Sequence, residues 1–389
     1  MKSILIINAG SSSLKFQLFH FDTLESYING QISGLGTSDQ KIIIKDNNKE
    51  VLHQEKYQET TSRDEILVSL IETLQKLFPS LKLEVAGHRV VHGGIHYINP
   101  TIINQTVIDT LKSITYLTPI HLPHNIKPME VLQSKFPNLK QVACFDTAFH
   151  ATNNKLTQYY AIPRKYIEQD NIKRYGFHGL SYEYLSLKIK EIDKDLSSKK
   201  IIAFHLGAGA SLCALENGKS VTTTMGLTPL DGLIMGSRCG SIDAGIILYL
   251  LQHKKLTPKE LEHVLYFESG ILGLSEESSD FYQVETSKNP KSKEAWDIYL
   301  YNLLKQTGQM IAALEGVDGF IFTGGVGENT AELRSYLANK FKWLNIEIDE
   351  SKNKNKEILI STQKSKVKCY VIPTNEEWII ANHSKNLIS

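Results

Sequence analysis

The stretch Ile6-Ile7-Asn8-Ala9-Gly10-Ser11-Ser12-Ser13-Leu14-Lys15-Phe16 decides the fold. With Ile4 and Leu5 before it, its start reads as a buried strand. Residues 14–19 alternate like a second, returning strand. A strand, a small-residue turn and a strand bring backbone N–H groups, hydroxyls and one ammonium to a single point, which suits a polyanion. The stretch is not a P-loop: G-x-x-x-x-G-K-[ST] occurs nowhere in the chain, and a strand rather than a helix follows the turn. Taken alone, it reads equally as a serine-rich hairpin turn.

The same pattern recurs 198 residues later, with Asn8–Leu14 matched by Leu206–Leu212. Lys200–Leu206 reads as a strand, Gly207-Ala208-Gly209-Ala210 as a small-residue turn and Ser211–Leu215 as a returning strand. Asn217-Gly218 then signals a hairpin before Val221–Thr224. The recurrence implies an internal duplication, with each half presenting one anion-binding turn. Chance similarity of two hairpins is the alternative.

The chain has 389 residues, 41% apolar and 22% charged, enough for two or three domains. A net charge of +1 gives no field that would recruit nucleic acid or an anionic membrane surface. No apolar run approaches the ~20 residues that span a bilayer, and the N-terminus enters a strand without a secretory leader. The four cysteines, Cys144, Cys213, Cys239 and Cys369, form no C-x-x-C pair, which fits reduced thiols in a cytoplasm. Only six of the 43 basic residues are Arg. An Arg in a special setting is therefore a candidate for bidentate anion binding, which Lys cannot imitate. Arg89 and Arg238 have such settings; Arg63, Arg164, Arg174 and Arg334 read as surface residues.

Several further segments carry chemistry. Ser62-Arg63-Asp64-Glu65 is a capping box opening a helix that Pro79 ends. A strand at 83–86 leads into Gly87-His88-Arg89-Val90-Val91-His92-Gly93-Gly94, read as a binding loop. His121 lies in a Pro-broken segment before a helix to about Phe136. The strand Lys140–Phe145 ends at Asp146, where an acid would face a crevice or cap a helix. His178 stands between Gly176 and Gly179. Arg238 lies between glycines in the irregular stretch 225–243, an anion-clamp candidate. Residues 294–314 read as a long helix. In Gly319–Asn329 a strand feeds a helix through a third glycine turn, suited to a nucleoside or phosphate. The Lys/Asn-rich residues 345–368 read as a solvated excursion. Pro373-Thr374-Asn375-Glu376-Glu377 precedes a terminal helix.

Together these motifs resemble the acetokinase family, within the superfamily of sugar kinases, actin and chaperone ATPases, over nearly the whole chain. The resemblance implies an α/β fold of two ribonuclease-H-like domains with the active site in the cleft between them. The expected division is residues 1–149 plus 377–389 for the first domain and 150–376 for the nucleotide-binding second. It implies reversible in-line phosphoryl transfer between ATP and acetate, giving ADP and acetyl phosphate, with Mg²⁺ (or Mn²⁺) and a homodimeric assembly. Alternatives are a propionate or butyrate kinase, or a catalytically weakened nucleotide-binding sensor.

By resemblance, Arg89 binds the carboxylate, and Val91, Ile120, Phe177 and Pro229 surround the acyl tail. Asp146, His178, Arg238 and His121 are the catalytic set, with Asp146 expected to orient Arg238 or the metal shell. Asn8 and Glu376 are the metal pair. The nucleotide falls to Ser11, Ser13, Lys15, His205, Gly207, Ala208, Gly209, Ala210, Asp280, Tyr282, Gly325, Val326, Gly327, Glu328 and Asn329. The chain departs from the family pattern at Ala208 and Leu122, where Asn is usual, at Ser241 for Asp, and at Tyr282 for an adenine-side Arg.

Overall fold

The structure is a computed structural model that describes residues 1–389. It separates into two compact units, Met1–Ala148 with Asn375–Ser389, and Phe149–Thr374. Glu376 therefore belongs to the first unit, whereas the sequence reading puts it in the second.

The first unit is built on one sheet. Its strands are β1 (Lys2–Ala9), β2 (Ser13–His20), β3 (Ser26–Ser33), β4 (Lys41–Asp46), β5 (Val51–Lys56), β6 (Lys82–Val90), β7 (Thr101–Ile102) and β8 (Lys140–Phe145). They lie in the order β5-β4-β3-β2-β1-β6-β8-β7. The opening stretch forms the β1–β2 hairpin, antiparallel with Asn8 opposite Lys15. β1 is central and buried on both faces, so its run Ile4-Leu5-Ile6-Ile7 is continuous, whereas β2 alternates. Leu5, Ile7, Phe16 and Leu18 pack with Ile66, Leu70 and Leu74 of the helix Arg63–Leu77. Each such side chain contributes about 2 kcal/mol when fully buried. The capping box is present, with the Ser62 hydroxyl and the Glu65 carboxylate each accepting from the other's backbone N–H.

The sequence reads Gly87–Val90 as loop, but β6 continues through Val90. Gly87 is small because the terminal helix Glu376–Ile388 lies on the sheet there: a Cβ at Gly87 would stand 2.6 Å from Ser384 Oγ and 2.7 Å from Ile380. Close backbone approach, rather than a turn, is the reason for this glycine.

The second unit repeats the plan. Its strands are β9 (Lys200–Leu206), β10 (Ala210–Glu216), β11 (Lys219–Thr223), β12 (Gly319–Thr323) and β13 (Lys368–Val371), in the order β11-β10-β9-β12-β13. An antiparallel three-strand meander is followed by two strands parallel to the first of them. β3-β2-β1-β6-β8 has the same order and the same directions. Both units are thus ribonuclease-H-like α/β sheets. The long helix runs Pro290–Ala313, four residues earlier than the apolar pattern suggests, because Asn289 caps it and Pro290 takes its first position.

The Lys/Asn-rich segment is largely exposed, as its composition implies, but it is structured. It carries the helix Glu350–Lys354, and single bridges pair Ile348 with Ser361 and Leu359 with Tyr370. Its anchor is Arg334, read from sequence as a surface residue but entirely buried. Arg334 Nε donates to Asn353 Oδ1 at 2.7 Å, Nη2 to the Asn353 carbonyl at 2.9 Å and Nη1 to the Gly327 carbonyl at 2.7 Å.

On β6, His88 is buried beside Gln141, whose Nε2 donates to the Met129 carbonyl. That turns Gln141 Oε1 toward His88 Nε2 at 2.9 Å, so the neutral imidazole donates through Nε2. Burial pushes the His88 imidazole down to about 4. Above the ordinary histidine range the folded and unfolded chains are both neutral at this site. As pH falls from about 6.5 toward 4, only the unfolded chain takes up the proton, so stability is lost. By pH 5 the loss from this group is about 2 kcal/mol. Urea midpoints measured from pH 7.5 to 4.5 should therefore fall less steeply for His88→Gln than for the wild type; parallel slopes would mean that His88 is not the source.

Candidate active site

In the first unit, the carboxyl ends of the parallel strands β1, β6 and β8 converge, as ligand-facing ends do in α/β sheets. They bring together Asn8, Arg89 and Asp146, and the terminal helix adds Glu376 at its first position. Arg89 grips Asp146 with a two-pronged fork, Nε to Oδ1 at 3.0 Å and Nη2 to Oδ2 at 2.7 Å. Nε also lies 3.5 Å from Glu376 Oε2, and Nη1 lies 3.5 Å from Asn8 Oδ1. Asp146 is almost wholly buried and Glu376 largely so, while a quarter of the Arg89 side chain stays exposed. Burial pushes the Glu376 carboxyl up to about 7, with Arg89 pulling it down and Asp146 pushing it further up. Burial also disfavours the charge on Arg89, but Asp146 and Glu376 outweigh it and hold the guanidinium above the ordinary arginine range.

Asp146 thus engages Arg89, beside Asn8 and Glu376, the two residues read from sequence as the metal pair. The physical reason is the register of β6 and β8, which sets Arg89 opposite Cys144, two residues before Asp146. A guanidinium has five N–H donors, so the fork leaves donors for a further anion. No group of three or more His, Cys, Asp or Glu side chains forms a metal cage. Asn8 and Glu376 offer two hard oxygens around one cation. That donor set fits a small divalent ion that keeps most of its water and shares phosphate oxygens, the habit of magnesium.

The neighbouring elements hold this arrangement. Asn125 accepts the Val91 N–H at 2.9 Å and donates to the Ala9 carbonyl at 2.7 Å, tying the ends of β6 and β1. Val91, Ile120 and His121 are half-buried, and His121 is the N-cap of the helix Leu122–Lys135 without a side-chain capping bond. Leu122, in place of the family's Asn, is buried core. The Ser11–Ser13 turn closes through the Gly10 N–H to the Ser13 carbonyl at 2.8 Å. Arg63 is not a bystander: its Nη2 donates to the Ser11 carbonyl and its Nη1 sits 2.9 Å from His124 Nδ1. Lys15 stands opposite Asn8, its charge is felt at Glu376, and it lines a cavity of about 300 Å³ with Asn29, Gln31, Lys45 and Glu377.

In the second unit, His178 sits at φ +58° just before the helix Gly179–Ile192, a left-handed conformation unusual for a side-chain-bearing residue. Its Nδ1 is 2.8 Å from Ser211 Oγ, which is also 2.5 Å from the Tyr182 hydroxyl. Its ring stacks on His205 at 4.1 Å, and His205 Nδ1 is 2.9 Å from Ser181 Oγ. His150 supports the same corner, with Nε2 3.0 Å from the Phe177 carbonyl and Nδ1 2.8 Å from Ser220 Oγ. Arg238 Nη1 donates to the Pro229 carbonyl at 3.1 Å. A Cβ placed on Gly209 would lie 3.5 Å from His178 Nε2 and 3.8 Å from Arg238 Nη1, so both groups address the second glycine turn. Phe177 is fully buried and Pro229 buried in this corner. Ser241 donates to Asp231 at 2.6 Å, and Asp231 in turn pairs with Arg174 at 3.1 Å, so this Arg too is engaged.

Beside the turn lies a cavity of about 580 Å³, a size suited to a nucleotide. Gly207, Ala208, Asp280, Tyr282, Gly325, Val326 and Asn329 line it, together with Thr330 and Lys356. The Ala208 carbonyl accepts the Gly236 N–H at 3.2 Å, pinning the turn. Three residues read as nucleotide contacts are turned to structural duties. Glu328 Oε1 accepts the Gly324 N–H at 2.9 Å, the Gly327 carbonyl is taken by Arg334, and Ala210 is buried in β10. Lys356 lines this cavity although its segment reads from sequence as solvated.

The acetokinase family profile matches residues 3–382. Acetate kinase of Rickettsia akari is 44% identical over 384 residues, covering 97% of each chain. Acetate kinase of Nitrobacter hamburgensis is 40% identical, covering all of this chain and 96% of its own. Among solved structures, a propionate kinase from Francisella tularensis aligns with a TM-score of 0.92 at 35% identity, over 99% of this chain and 100% of its own. Acetate kinase of Porphyromonas gingivalis aligns with a TM-score of 0.91 at 32% identity over the full length of both. With the profile spanning nearly every residue and relatives matched end to end, the chain belongs to the acetokinase family.

Proposed function

We propose that this chain has acetate kinase activity, transferring a phosphoryl group between ATP and acetate to give ADP and acetyl phosphate. The observation that carries the reading is the approach of His178 Nε2 and Arg238 Nη1 to the Gly209 turn, beside a nucleotide-sized cavity. Phosphoryl transfer asks for positive donors fixed where charge spreads over three equatorial oxygens, with little else required of the protein. The acceptor carboxylate is ionised at neutral pH, so no base is needed to make the nucleophile. Asp146 accordingly serves as the rigid counter-ion that aims Arg89, and Arg89 binds the carboxylate through its remaining donors. Val91 and Ile120 border the acyl tail, and His121 donates to the group in flight.

His205 and Ser211 fix the His178 ring so that Nε2 is the nitrogen presented. Ser11, Ser13 and Lys15 serve the phosphates from the first glycine turn, steadied by Arg63. Asn8 and Glu376 would hold Mg²⁺, which when bound neutralises phosphate charge. Glu376 must be ionised to do so, and the nearby Arg89 favours that form.

The assembly proposed is a homodimer. In the helix Ala244–Gln252, Ile246, Leu248 and Tyr249 are exposed, Leu248 at 54%, and no residue is buried. An apolar helix on the surface suits a self-complementary interface. All four cysteines are free thiols, which suits a reducing, cytoplasmic setting, and no helix is long and apolar enough to cross a membrane.

Trapping with hydroxylamine tests the activity: purified protein, ATP, Mg²⁺ and acetate should yield acetyl hydroxamate. Absence of product with acetate, propionate and butyrate alike, despite measurable ATP binding, would sink the kinase reading. Arg238→Lys should lower kcat by about 10²–10³-fold, the loss typical of one transition-state donor, while nucleotide binding stays within a few-fold; near-normal turnover would remove Arg238 from its role. Leu248→Glu should halve the mass measured by light scattering without altering the far-ultraviolet spectrum, and an unchanged mass would move the interface elsewhere.

A further inference from the structure

The first glycine turn is held in place by its carbonyls. The Ala9 carbonyl accepts from Asn125 Nδ2 at 2.7 Å, the Ser12 carbonyl from the Leu35 N–H at 3.0 Å and the Ser13 carbonyl from the Gly10 N–H at 2.8 Å. The Ser11 carbonyl accepts from Arg63 Nη2. A trans peptide is planar, so its C=O and N–H point in opposite directions. Drawing the Ser11 carbonyl toward Arg63 therefore sends the Ser12 N–H the other way, where it donates to no carbonyl of the chain. A backbone N–H presented like this in a small-residue turn is what an anion binds.

Arg63 opens the helix Arg63–Leu77. No carboxylate pairs with its guanidinium; the neighbouring Asp64 turns to Lys127 at 2.8 Å. What fixes Arg63 is His124, whose Nδ1 lies 2.9 Å from Arg63 Nη1. A guanidinium only donates, so Nδ1 is the accepting nitrogen and the ring is neutral, with its proton on Nε2. His124 is half-buried in the first turn of the helix Leu122–Lys135, next to Asn125. That one helical turn thus holds the glycine turn twice, at the Ala9 carbonyl directly and at the Ser11 carbonyl through Arg63. The two residues line a small pocket whose other charged groups are Asp64 and Lys127, already paired with each other; the glycine turn, Ile32 and Leu35 bring no charge. Burial first, and then the Arg63 charge, push His124 below the ordinary histidine range. The contact is therefore complete at neutral pH. As pH falls through the lowered value, Nδ1 gains a proton, two donors face each other and two cations repel.

We propose that Arg63 and His124 form a proton-sensitive positioning pair for the phosphate turn: neutral His124 aims Arg63, Arg63 turns the Ser11–Ser12 peptide, and protonation of His124 releases both. Neither side chain touches the substrate. Arg63 acts through the Ser12 N–H, and His124 acts through Arg63. The inference rests on the reading of the first glycine turn as a phosphate site.

The test is the pH profile of kcat/KM for ATP from pH 5 to 8, at saturating acetate and Mg²⁺, in the wild type, His124→Gln, Arg63→Met and the double variant. The glutamine amide oxygen accepts from Arg63 as the neutral ring does, but takes up no proton. The ratio of His124→Gln to wild type should be level from pH 7 to 8 and climb about two-fold or more by pH 5. Glu376 titrates in both enzymes, so its contribution cancels in the ratio. Arg63→Met keeps an apolar stem and should lower kcat/KM for ATP roughly ten-fold, as a small misplacement at a reacting site does, with KM for acetate unchanged. Because His124 acts through Arg63, adding His124→Gln to Arg63→Met should cost nothing further. His124→Gln keeps the question answerable if the methionine variant folds poorly. Parallel profiles for wild type and His124→Gln, or near-normal kcat/KM for ATP in Arg63→Met, would overturn the inference. So would an Arg63→Met loss shared equally by ATP and acetate with a fallen Tm, the mark of a merely structural residue. Lys15→Met tests the underlying reading: an unchanged KM for ATP in that variant would overturn the phosphate site itself, and this proposal with it.

Discussion

Everything in the first unit is arranged around one partly exposed cation flanked by two buried carboxylates. Arg89 could not stand at the end of β6 beside Asp146 and Glu376 unless all three were charged or shared protons, because isolated burial of any of them is costly. The fork ties Asp146 to the guanidinium through both of its oxygens. Burial holds the Glu376 carboxyl up at about 7 against the pull of Arg89, which reaches it only through a longer contact of 3.5 Å. The strand ends, Asn125 across β1 and β6, and the terminal helix over Gly87 all fix this geometry to within the reach of a hydrogen bond.

The second unit solves a complementary problem with the same sheet. Where the first unit balances charge, the second presents donors: His178 is locked through Ser211 and His205, and Arg238 is turned toward the same turn by the Pro229 carbonyl. A left-handed histidine is a local expense, about 1–2 kcal/mol against the ordinary helical region, and it is sustained because the residue is held from several sides. One duplicated scaffold has thus been specialised into an acidic, cation-centred half and a donor-rich half.

How far the sequence speaks depends on the range of the interaction. The capping box at Ser62–Glu65 and the two hairpins are local, and residue type and spacing suffice to read them. The duplication was legible because both hairpins carry it in a few consecutive residues. Gly87 misleads, since a glycine before an Arg and two His imitates a loop, and only the helix packed over it reveals the actual cause. Asp146 could be recognised as important, but its fork to Arg89 could not be read, because it depends on the register of two strands whose paired residues lie 55 apart in sequence. Arg334 and Lys356 escaped altogether. Lysine and asparagine signal solvent by composition, and nothing local announces that a distant arginine will bury Asn353 and fix the lysine that follows it.

The division of the chain also sets an order of events during synthesis. The first unit is interrupted: residues 1–148 are made first, and its closing helix lies in residues 375–389. Between them the ribosome must produce all 226 residues of the second unit, 149–374, which takes roughly 10–45 s at ordinary rates. Throughout that interval the central sheet lacks the helix that covers β1, β6 and β8, and the Arg89–Asp146 pair lacks Glu376. The nascent chain therefore completes its second unit before its first, and the charge cluster closes only when residues 375–389 return to the first sheet.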